Sequence, residues 1–290
     1  MAESLELRAH AKVNLVLEVT GTRDDGYHEI DTILQTISLH DTVTLRPDGG
    51  GALTVAGVHA SGVPTDAANL ALRARDALGL VTGRFFERVA IHIEKRIPAA
   101  GGLGGGSADA AAVLRGLQRL YPEILEAELL AAAAAIGSDE PALVLGGTVR
   151  ARGRGERVES LPPLPEHGVL LFLPGETIPE KTARMFRALD VLPWDSGSVA
   201  GAWPATARNE FRAADVYNSF ERVAFDLFPG LSVLWERLEA KLQQPVRLAG
   251  AGPTLFWVGR AQETRSIAER CLGLPCEVVQ AVTVGSPWTR

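Results

Sequence analysis

The sequence predicts an α+β protein, and three features lead to that prediction. Segments that alternate like β-strands and segments with helical spacing follow one another along all 290 residues. This length suffices for one large domain or two medium ones, each with its own core. A proline cluster, LPPLPEHG at residues 161–168, indicates a boundary near the middle of the chain. We therefore expect two domains, residues 1–155 and residues 156–290.

The N-terminal half should begin with strands, because β-branched and alternating apolar residues are frequent there. Strands are predicted at residues 12–21 and 30–47, with a polar loop between them. After a turn at 48–51, residues 52–57 should form a hairpin with the strand at 30–47, and a further strand is predicted at 88–98. Helices are predicted at residues 66–80, 107–122 and 126–137. Asp66 is the expected N-cap of the first helix, and Pro122 and Gly137 should end the other two. Residues 138–161 should begin as a loop or short turn and become a hairpin around RGRGE.

The C-terminal half again mixes strands and helices. Strands are predicted at residues 169–175 and 276–285, and residues 246–259 should form a strand, a glycine turn and a second strand. Helices are predicted at residues 179–189, 220–242 and 263–273. Residues 194–211 have little periodicity, so we expect a surface loop there.

Residues 98–114, PAAGGLGGGSADAAAVL, place five glycines in six positions directly before a helix. Free N–H groups in the first helical turn and the helix dipole favour a bound anion, commonly phosphate. The P-loop and dinucleotide fingerprints both fail, because Ser107 stands where the first has lysine and the second its last glycine. A glycine-rich turn that serves only close helix packing stays an alternative.

The stretch PAAGGLGGGSADAA closely resembles the second signature of the GHMP kinases, small-molecule kinases named for galactose, homoserine, mevalonate and phosphomevalonate. AGAGPTLF, residues 249–256, resembles their third motif. AKVNLVLEVTGTRDDGYHEIDTI, residues 11–33, is similar to the branch that phosphorylates 4-diphosphocytidyl-2-C-methyl-D-erythritol. The resemblance covers almost the whole chain. It implies the two-domain GHMP kinase fold, with an N-terminal domain like domain 2 of ribosomal protein S5 and a C-terminal ferredoxin-like α/β domain.

The resemblance implies that ATP binds the glycine loop, with Mg²⁺ as the counter-charge of its phosphates. The implied ATP-binding residues are Pro98, Ala99, Ala100, Gly101, Gly102, Leu103, Gly104, Gly105, Gly106, Ser107, Ala108, Lys95 and Asn69. By residue type alone, Ser107 and Asn69 would be helix caps and Lys95 a charge at a strand end. The sequence does not indicate which residues hold the metal ion.

Asp139, in IGSDEP, matches the catalytic aspartate of the family, which takes the proton from the substrate hydroxyl or orients it. The resemblance places Lys12 beside it, where the ammonium would stabilise the ionised hydroxyl or the transferred phosphoryl group. Asn14 points to the same side of its strand as Lys12 and would hydrogen-bond substrate. By residue type alone, these would be a turn residue, a surface charge and an edge polar group. Glu140 and Ala142 depart from the family motif, and we expect Glu140 to point to solvent.

The implied substrate-binding residues are Asn14, Tyr27, His28, Phe186, Gly250 and Gly252. Tyr27 and His28 resemble the cytidine-binding pair, because an aromatic ring stacks on a base and an imidazole can hydrogen-bond its edge. Phe186 would be the second wall around the base, although an aromatic residue on a helix is commonly part of the core. Ala249 and Ala251 replace serines that are usual in the third motif.

Composition excludes several classes of function. The formal net charge of −6 disfavours general nucleic-acid binding, which needs a basic surface. The N-terminus lacks the apolar core of a signal peptide, and the longest apolar run, LLAAAAAI, is far shorter than the roughly 20 residues that span a bilayer. The two cysteines, Cys271 and Cys276, show no metal-binding spacing. We expect a cytoplasmic protein that binds neither nucleic acid nor membrane; its oligomeric state is not indicated.

The resemblance implies an ATP-dependent kinase that phosphorylates the 2-hydroxyl of 4-diphosphocytidyl-2-C-methyl-D-erythritol, a step in non-mevalonate isoprenoid precursor synthesis. One alternative is another GHMP kinase, of the homoserine or mevalonate type, which would show no preference for cytidine. A second alternative is a nucleotide-binding relative that has lost transfer activity.

Overall fold

The computed structural model describes residues 4–175, 177–206 and 215–288. Its strands are β1 (Leu5–Thr22), β2 (His28–Arg46), β3 (Leu53–Ala56), β4 (Ala90–Glu94), β5 (Thr148–Gly153), β6 (Arg157–Ser160), β7 (Gly168–Leu173), β8 (Tyr217–Asn218), β9 (Arg247–Leu248), β10 (Leu255–Gly259) and β11 (Glu277–Val282). Its helices are α1 (Leu70–Thr82), α2 (Gly105–Leu120), α3 (Glu126–Ile136), α4 (Glu140–Leu145), α5 (Lys181–Leu189), α6 (Ser198–Thr206), α7 (Glu221–Leu227), α8 (Leu231–Leu242) and α9 (Thr264–Arg270). None of these described helices is long and apolar enough to cross a membrane.

A seven-stranded sheet is built around β1 and β2, which pair antiparallel along most of their lengths. Strand β2 also pairs with β4 and β5, β6 pairs with β5, and β8 lies parallel to β1. The predicted hairpin between β2 and β3 is wrong, because β4 lies between them and β3 runs parallel to β4 at the edge. Two parallel strands need a crossover connection, and here α1 provides it.

Helices α1 to α4 pack together, and α2 lies against β1 and β2. The alanine-rich sequence of α2 allows this close approach: a Cβ at Gly116 would lie 2.5 Å from Cδ1 of Leu45. The helix begins at Gly105, with Gly104 as its N-cap at φ 71°, so Ser107 lies within the first turn. The expectation of Ser107 as a cap is therefore wrong, because glycine accepts the left-handed conformation that joins this loop to the helix.

The start of α1 also differs from the prediction. Asn69 is the N-cap, and its Oδ1 accepts a hydrogen bond from the N–H of Ala71 at 2.9 Å. Asp66 lies in the turn before the helix, where its Oδ1 accepts from the N–H of Ala68 at 3.0 Å. The capping role that residue type suggests for Asn69 is thus confirmed, and that of Asp66 is wrong.

A second, four-stranded antiparallel sheet has the strand order β11-β7-β10-β9. Helix α6 covers part of the segment predicted as a surface loop, so that prediction is wrong for residues 198–206; residues 207–211 lie outside the described residues. Ala200 and Trp203 are buried, and the N–H of Ala200 donates to Oε2 of Glu18 at 2.8 Å. Contacts with β1, rather than local periodicity, therefore stabilise this helix.

The two sheets meet at the middle of β2, where Ile37 bridges Thr283 and the N–H of Val284 donates to the carbonyl of Thr36 at 2.9 Å. Apolar residues from both sheets belong to one contiguous core. The boundary at residue 155 stays a prediction. A deep cavity opens where elements from both halves of the chain come together.

Candidate active site

A cavity of 1160 Å³ is lined by the glycine loop, β1 and the N-terminal ends of α4 and α5. The predicted residues that line it are Lys12, Asn14, Tyr27, His28, Asn69, Lys95, Pro98, Ala99, Ala100, Gly101, Gly102, Leu103, Gly104, Gly105, Gly106, Ser107, Asp139, Phe186 and Gly250. Ala108 and Gly252 do not line it, because Ala108 is buried in α2 and a Cβ at Gly252 would face Leu248. The fold thus brings nearly all the predicted residues to one place.

Lys12 lies on β1, at an irregularity of the pairing with β2. Its Nζ donates to Oδ1 of Asn14 at 2.7 Å and lies 3.2 Å from Oδ2 of Asp139. The expectation that Lys12 lies beside Asp139 is therefore confirmed. Asn14 Nδ2 donates in turn to Oγ1 of Thr32 at 2.9 Å, which holds the amide oxygen toward Lys12. The backbone N–H of Lys12 donates to the carbonyl of Leu103 at 3.0 Å, which joins the glycine loop to β1.

The two glycine motifs are in direct contact. Gly102 has a φ of 85°, and a Cβ there would overlap the carbonyl oxygen of Ala249. Gly250 has a φ of 53°, and a Cβ there would lie 3.2 Å from Nζ of Lys12. The buried Asn218 supports this turn, since its Nδ2 donates to the carbonyls of Leu248 at 2.9 Å and Gly250 at 2.8 Å. The two glycine turns are therefore packed too closely for a side chain at Gly102 or Gly250.

Glu140 is buried, so the expectation that it points to solvent is wrong. Asp139 is the N-cap of the short helix α4 and Glu140 is its first residue, and consecutive side chains at such a helix start point in different directions. Glu140 is 2% exposed and its carboxylate packs beside Gly137. Burial and the neighbouring carboxylate of Asp139 raise the pKa of Glu140, while a hydrogen bond with Ser107 lowers it. A second carboxylate therefore faces the glycine loop.

Lys95 is held in a buried cluster with two carboxylates. Its Nζ donates to Oδ2 of Asp109 at 2.7 Å and to Oδ2 of Asp41. Asp41 also accepts from the backbone N–H groups of Arg96 and Ile97, directly before the glycine loop. Burial raises the pKa of Asp109 despite the opposing effect of Lys95. The Lys95 ammonium is thus paired with carboxylates of the protein itself, and through Asp41 it holds the residues that precede the glycine loop.

The predicted cytidine-binding residues come together at one end of the cavity. His28 stacks on Phe186, with ring centroids 4.4 Å apart and an interplanar angle of 21°. Nε2 of His28 lies 2.7 Å from Oδ1 of Asp190. Tyr27 is 49% exposed, and the guanidinium of Arg154 lies 5.0 Å from its ring centroid. His28, rather than Tyr27, therefore lies against Phe186, and Arg154 forms part of the cavity wall.

Comparison with known proteins agrees with this geometry. The model of the GHMP kinase N-terminal domain matches residues 67–147. A 4-diphosphocytidyl-2-C-methyl-D-erythritol kinase of Bacillus subtilis is 38% identical over 282 residues, which cover 95% of this chain and 95% of the relative. One from Moorella thermoacetica is 38% identical, over 92% of this chain and 94% of that protein.

The chain belongs to this kinase family, a branch of the GHMP kinases.

Solved structures of GHMP kinases have the same fold. The crystal structure of a 4-(cytidine 5'-diphospho)-2C-methyl-D-erythritol kinase superposes with a TM-score of 0.75, at 34% identity, and the match covers 97% of this chain and 100% of that one. A homoserine kinase from Cytophaga hutchinsonii superposes with a TM-score of 0.70 at 18% identity, over 99% and 96% of the two chains. The second likeness concerns the GHMP kinase fold alone.

Lys181 lines the cavity of this GHMP kinase but is not among the predicted site residues. Its Nζ donates to the carbonyl of Ala100 at 2.7 Å and to the carbonyl of Gly252. The sequence holds only a partial signal for it, namely that lysine is scarce, and the structure supplies the rest. The chain contains four lysines, and three of them, Lys12, Lys95 and Lys181, line the cavity. So strong a concentration of ammonium groups in one concave site is typical of anion binding.

Proposed function

We propose that this small-molecule kinase transfers the γ-phosphoryl group of ATP to the 2-hydroxyl of 4-diphosphocytidyl-2-C-methyl-D-erythritol. The pair of Lys12 and Asp139, 3.2 Å apart in a cavity that both glycine turns border, carries the proposal. The names of relatives that match over more than nine-tenths of the chain support the choice of substrate. The reaction would take place in the cytoplasm.

The Asp139 carboxylate would accept the proton of the attacking hydroxyl or orient that hydroxyl. Its side chain is 36% exposed, so a substrate can reach Oδ2 from the cavity. The buried ammonium of Lys12 would offset negative charge on the attacking oxygen and the transferred phosphoryl group. Asn14 holds Lys12 in place, so this charge needs no rearrangement during the reaction. Phosphoryl transfer needs mainly such positioning and charge stabilisation.

The glycine loop would bind the phosphates of ATP. The first N–H groups of α2, on Gly105, Gly106 and Ser107, have no acceptor within the helix, and no side chain caps this end. Together with the helix dipole, they favour a bound phosphate. The contact of Gly102 with Ala249 keeps this loop beside the second glycine turn.

Mg²⁺ would be held by Glu140 and Ser107. Within the described residues, no three His, Cys, Asp or Glu side chains converge as a complete metal site. Mg²⁺ in kinases needs only one or two protein carboxylates, because water and substrate phosphates complete its coordination. The buried carboxylate of Glu140, hydrogen-bonded to Ser107 at the glycine loop, fits such an open site. When bound, the ion supplies positive charge that neutralises the phosphates.

At the other end of the cavity, His28, Phe186 and Tyr27 would bind the cytosine base. Stacking on an aromatic ring contributes affinity, and Nδ1 of His28 would be available to a base edge while Nε2 contacts Asp190. The proposal requires no nucleic-acid or membrane partner.

The test is release of ADP by the purified protein with Mg-ATP and three candidate substrates. We expect ADP with 4-diphosphocytidyl-2-C-methyl-D-erythritol, and none above background with mevalonate or homoserine. ADP with either control substrate would indicate another GHMP kinase activity. ATP binding without ADP from any substrate would indicate a relative without transfer activity. The last two results each contradict the proposal.

A further inference from the structure

Lys181 lies at the start of α5 and joins the two glycine turns through its ammonium group. Nζ donates to the carbonyl of Ala100 in the first turn and to that of Gly252 in the second. Among the described residues, no carboxylate lies within ion-pair distance of this ammonium. Lys12 has Asp139, and Lys95 has Asp41 and Asp109. Of the three lysines in the cavity, Lys181 alone therefore has only neutral acceptors within the described part of the chain.

The surroundings of Lys181 are unfavourable for a cation in the absence of ligand. Burial and the positive charge of Lys12 lower the pKa of Lys181 to about 8, while Asp139 raises it. Carbonyl oxygens satisfy the ammonium hydrogen bonds but do not neutralise its charge. An anion at the junction of the two turns would supply the missing negative charge.

The position of α5 indicates which anion this is. The same helix carries Phe186, which stacks on His28 at the end of the cavity proposed for cytosine. Phe186 follows Lys181 by five positions, so the two side chains originate about 7.5 Å apart along the helix axis. Both residues line the same cavity, and this offset is of the order of the length of a ribose, the group that separates the base of a nucleotide from its phosphates. Ala249 and Ala251 of the second turn offer no hydroxyl donor, so α5 supplies a side-chain donor at this point.

We propose that Lys181 binds the diphosphate of the cytidyl substrate, exchanging its carbonyl acceptors on Ala100 and Gly252 for phosphate oxygens. This assignment rests on the proposed function, because it places the base of that substrate at Phe186. Two other roles make different predictions. A lysine that only ties the turns together contributes hydrogen bonds but no charge, and a lysine that binds ATP affects a different ligand.

Three variants separate these roles. Lys181→Gln keeps an N–H donor for the carbonyl groups but removes the charge, and Lys181→Arg keeps the charge. Lys241→Gln is the matched control, because Lys241 is exposed on α8 and also donates to a backbone carbonyl, that of Arg270, at 2.9 Å. Calorimetric titrations with cytidine, CDP and the non-hydrolysable ATP analogue AMP-PNP then measure each affinity.

We expect Lys181→Gln to weaken CDP binding about tenfold to a hundredfold, the range for loss of a charge-assisted hydrogen bond. Cytidine and AMP-PNP affinities should stay at the wild-type values, Lys181→Arg should restore most of the CDP affinity, and Lys241→Gln should change nothing. Equal CDP affinity in wild type and Lys181→Gln would overturn the proposal in favour of a structural tie. A loss confined to AMP-PNP would overturn it in favour of ATP.

If Lys181→Gln does not fold, the wild type and Lys181→Arg still decide the question. Between about pH 7 and about pH 9 the wild type should lose CDP affinity as Lys181 deprotonates, while the arginine variant should lose less. Other charged groups that line this part of the cavity are the same in both proteins: Lys12, Asp139, Glu140, Glu180 and Arg187. Their titration therefore affects both profiles alike, and identical profiles would contradict the proposal.

The ADP assay on the same preparations separates this proposal from the proposed function. ADP release by the wild type with an unchanged KM for the cytidyl substrate in Lys181→Gln would refute the role of Lys181 alone. Selective loss of CDP affinity in Lys181→Gln, without ADP release by the wild type, would support the diphosphate site and refute the kinase activity.

Discussion

Lys12 and Asp139 form an ion pair with very unequal exposure: the lysine side chain is 5% exposed and the aspartate side chain 36%. The ammonium is fixed from behind by Asn14, whereas the carboxylate faces the cavity. The two partners come from β1 and from the N-terminal end of α4. This arrangement presents one oxygen to an incoming hydroxyl while the positive charge beside it stays in place.

Replacement of Asp139 by Asn should lower kcat about 100- to 10,000-fold, the usual contribution of a positioned acid or base. An amide keeps the shape of the side chain but cannot take the hydroxyl proton. Steady-state ADP release measures kcat, and calorimetry with AMP-PNP should give wild-type affinity. Asp226→Asn, at an exposed carboxylate on α7, is the control and should behave as wild type. Turnover that survives Asp139→Asn would remove Asp139 from the mechanism.

Replacement of Phe186 by Leu should raise KM for the cytidyl substrate about tenfold, because stacking on a base contributes roughly 1–3 kcal/mol. KM for ATP should not change, since ATP is proposed to bind at the glycine loop. Phe225→Leu is the matched control: Phe225 is 44% exposed and packs edge-on against Trp235 rather than in the cavity. An equal KM in Phe186→Leu and wild type would show that the base binds elsewhere.

Replacement of Gly102 by Ala should separate the two glycine turns and raise KM for ATP. The new Cβ would overlap the carbonyl oxygen of Ala249. Gly230→Ala isolates the effect of backbone conformation, because Gly230 has the same φ of 85° but nothing within 4 Å of an added Cβ. We expect the control to lower the free energy of unfolding by about 1–2 kcal/mol and to leave KM unchanged. Urea denaturation measures the free energy of unfolding, and ADP release measures KM for ATP. If Gly102→Ala and Gly230→Ala lose the same stability and have the same KM, the steric contact with Ala249 does not matter.

Glu221→Gln should change how stability depends on pH. Burial raises the pKa of Glu221 from 4.5 to about 7, and Oε1 accepts from the N–H of Leu248 at 2.9 Å, next to the second glycine turn. Between these two values the folded protein binds more protons than the unfolded chain, so the contribution of Glu221 to stability is present below about pH 4.5 and decreases as pH rises to about 7.

The glutamine variant does not titrate, so its free energy of unfolding should decrease less over this range than that of the wild type. Urea denaturation at several pH values gives both curves. Glu236→Gln, at an exposed carboxyl on α8, serves as control and should follow the wild type. A constant difference between wild type and Glu221→Gln across the range would mean that Glu221 stays charged, paired with Arg247 at 3.6 Å.

Local patterns in the sequence were sufficient for most of the elements. The predicted strands at residues 12–21 and 30–47 lie within β1 and β2 almost entirely, and the predicted helix at 126–137 corresponds to α3. Alternation and helical spacing succeed here because each depends on neighbours a few residues apart. The motifs likewise identified Lys12 and Asp139, since their neighbouring residues in the chain mark them.

Which strands pair with each other was harder to predict from the sequence than where the strands lie. Residues 52–57 have the composition of a strand, but nothing local indicates that β4 inserts between β2 and β3. Helix α6 lacks periodicity and depends on contacts of Ala200 and Trp203 with distant residues. Both features depend on segments far apart in the chain, which short-range patterns do not report.

The sequence by itself determined the α+β class, the glycine loop before α2, the family, and the identity of the residues around Lys12 and Asp139. Only the tertiary structure decided the directions of the side chains: Glu140 turned inward toward the glycine loop, and Lys181 brought from α5 to both glycine turns. Residue type and spacing specify what chemistry is available and which local structure forms. Burial, charge neutralisation and contact depend on groups that the fold brings together from distant parts of the chain, and no local pattern encodes those distances.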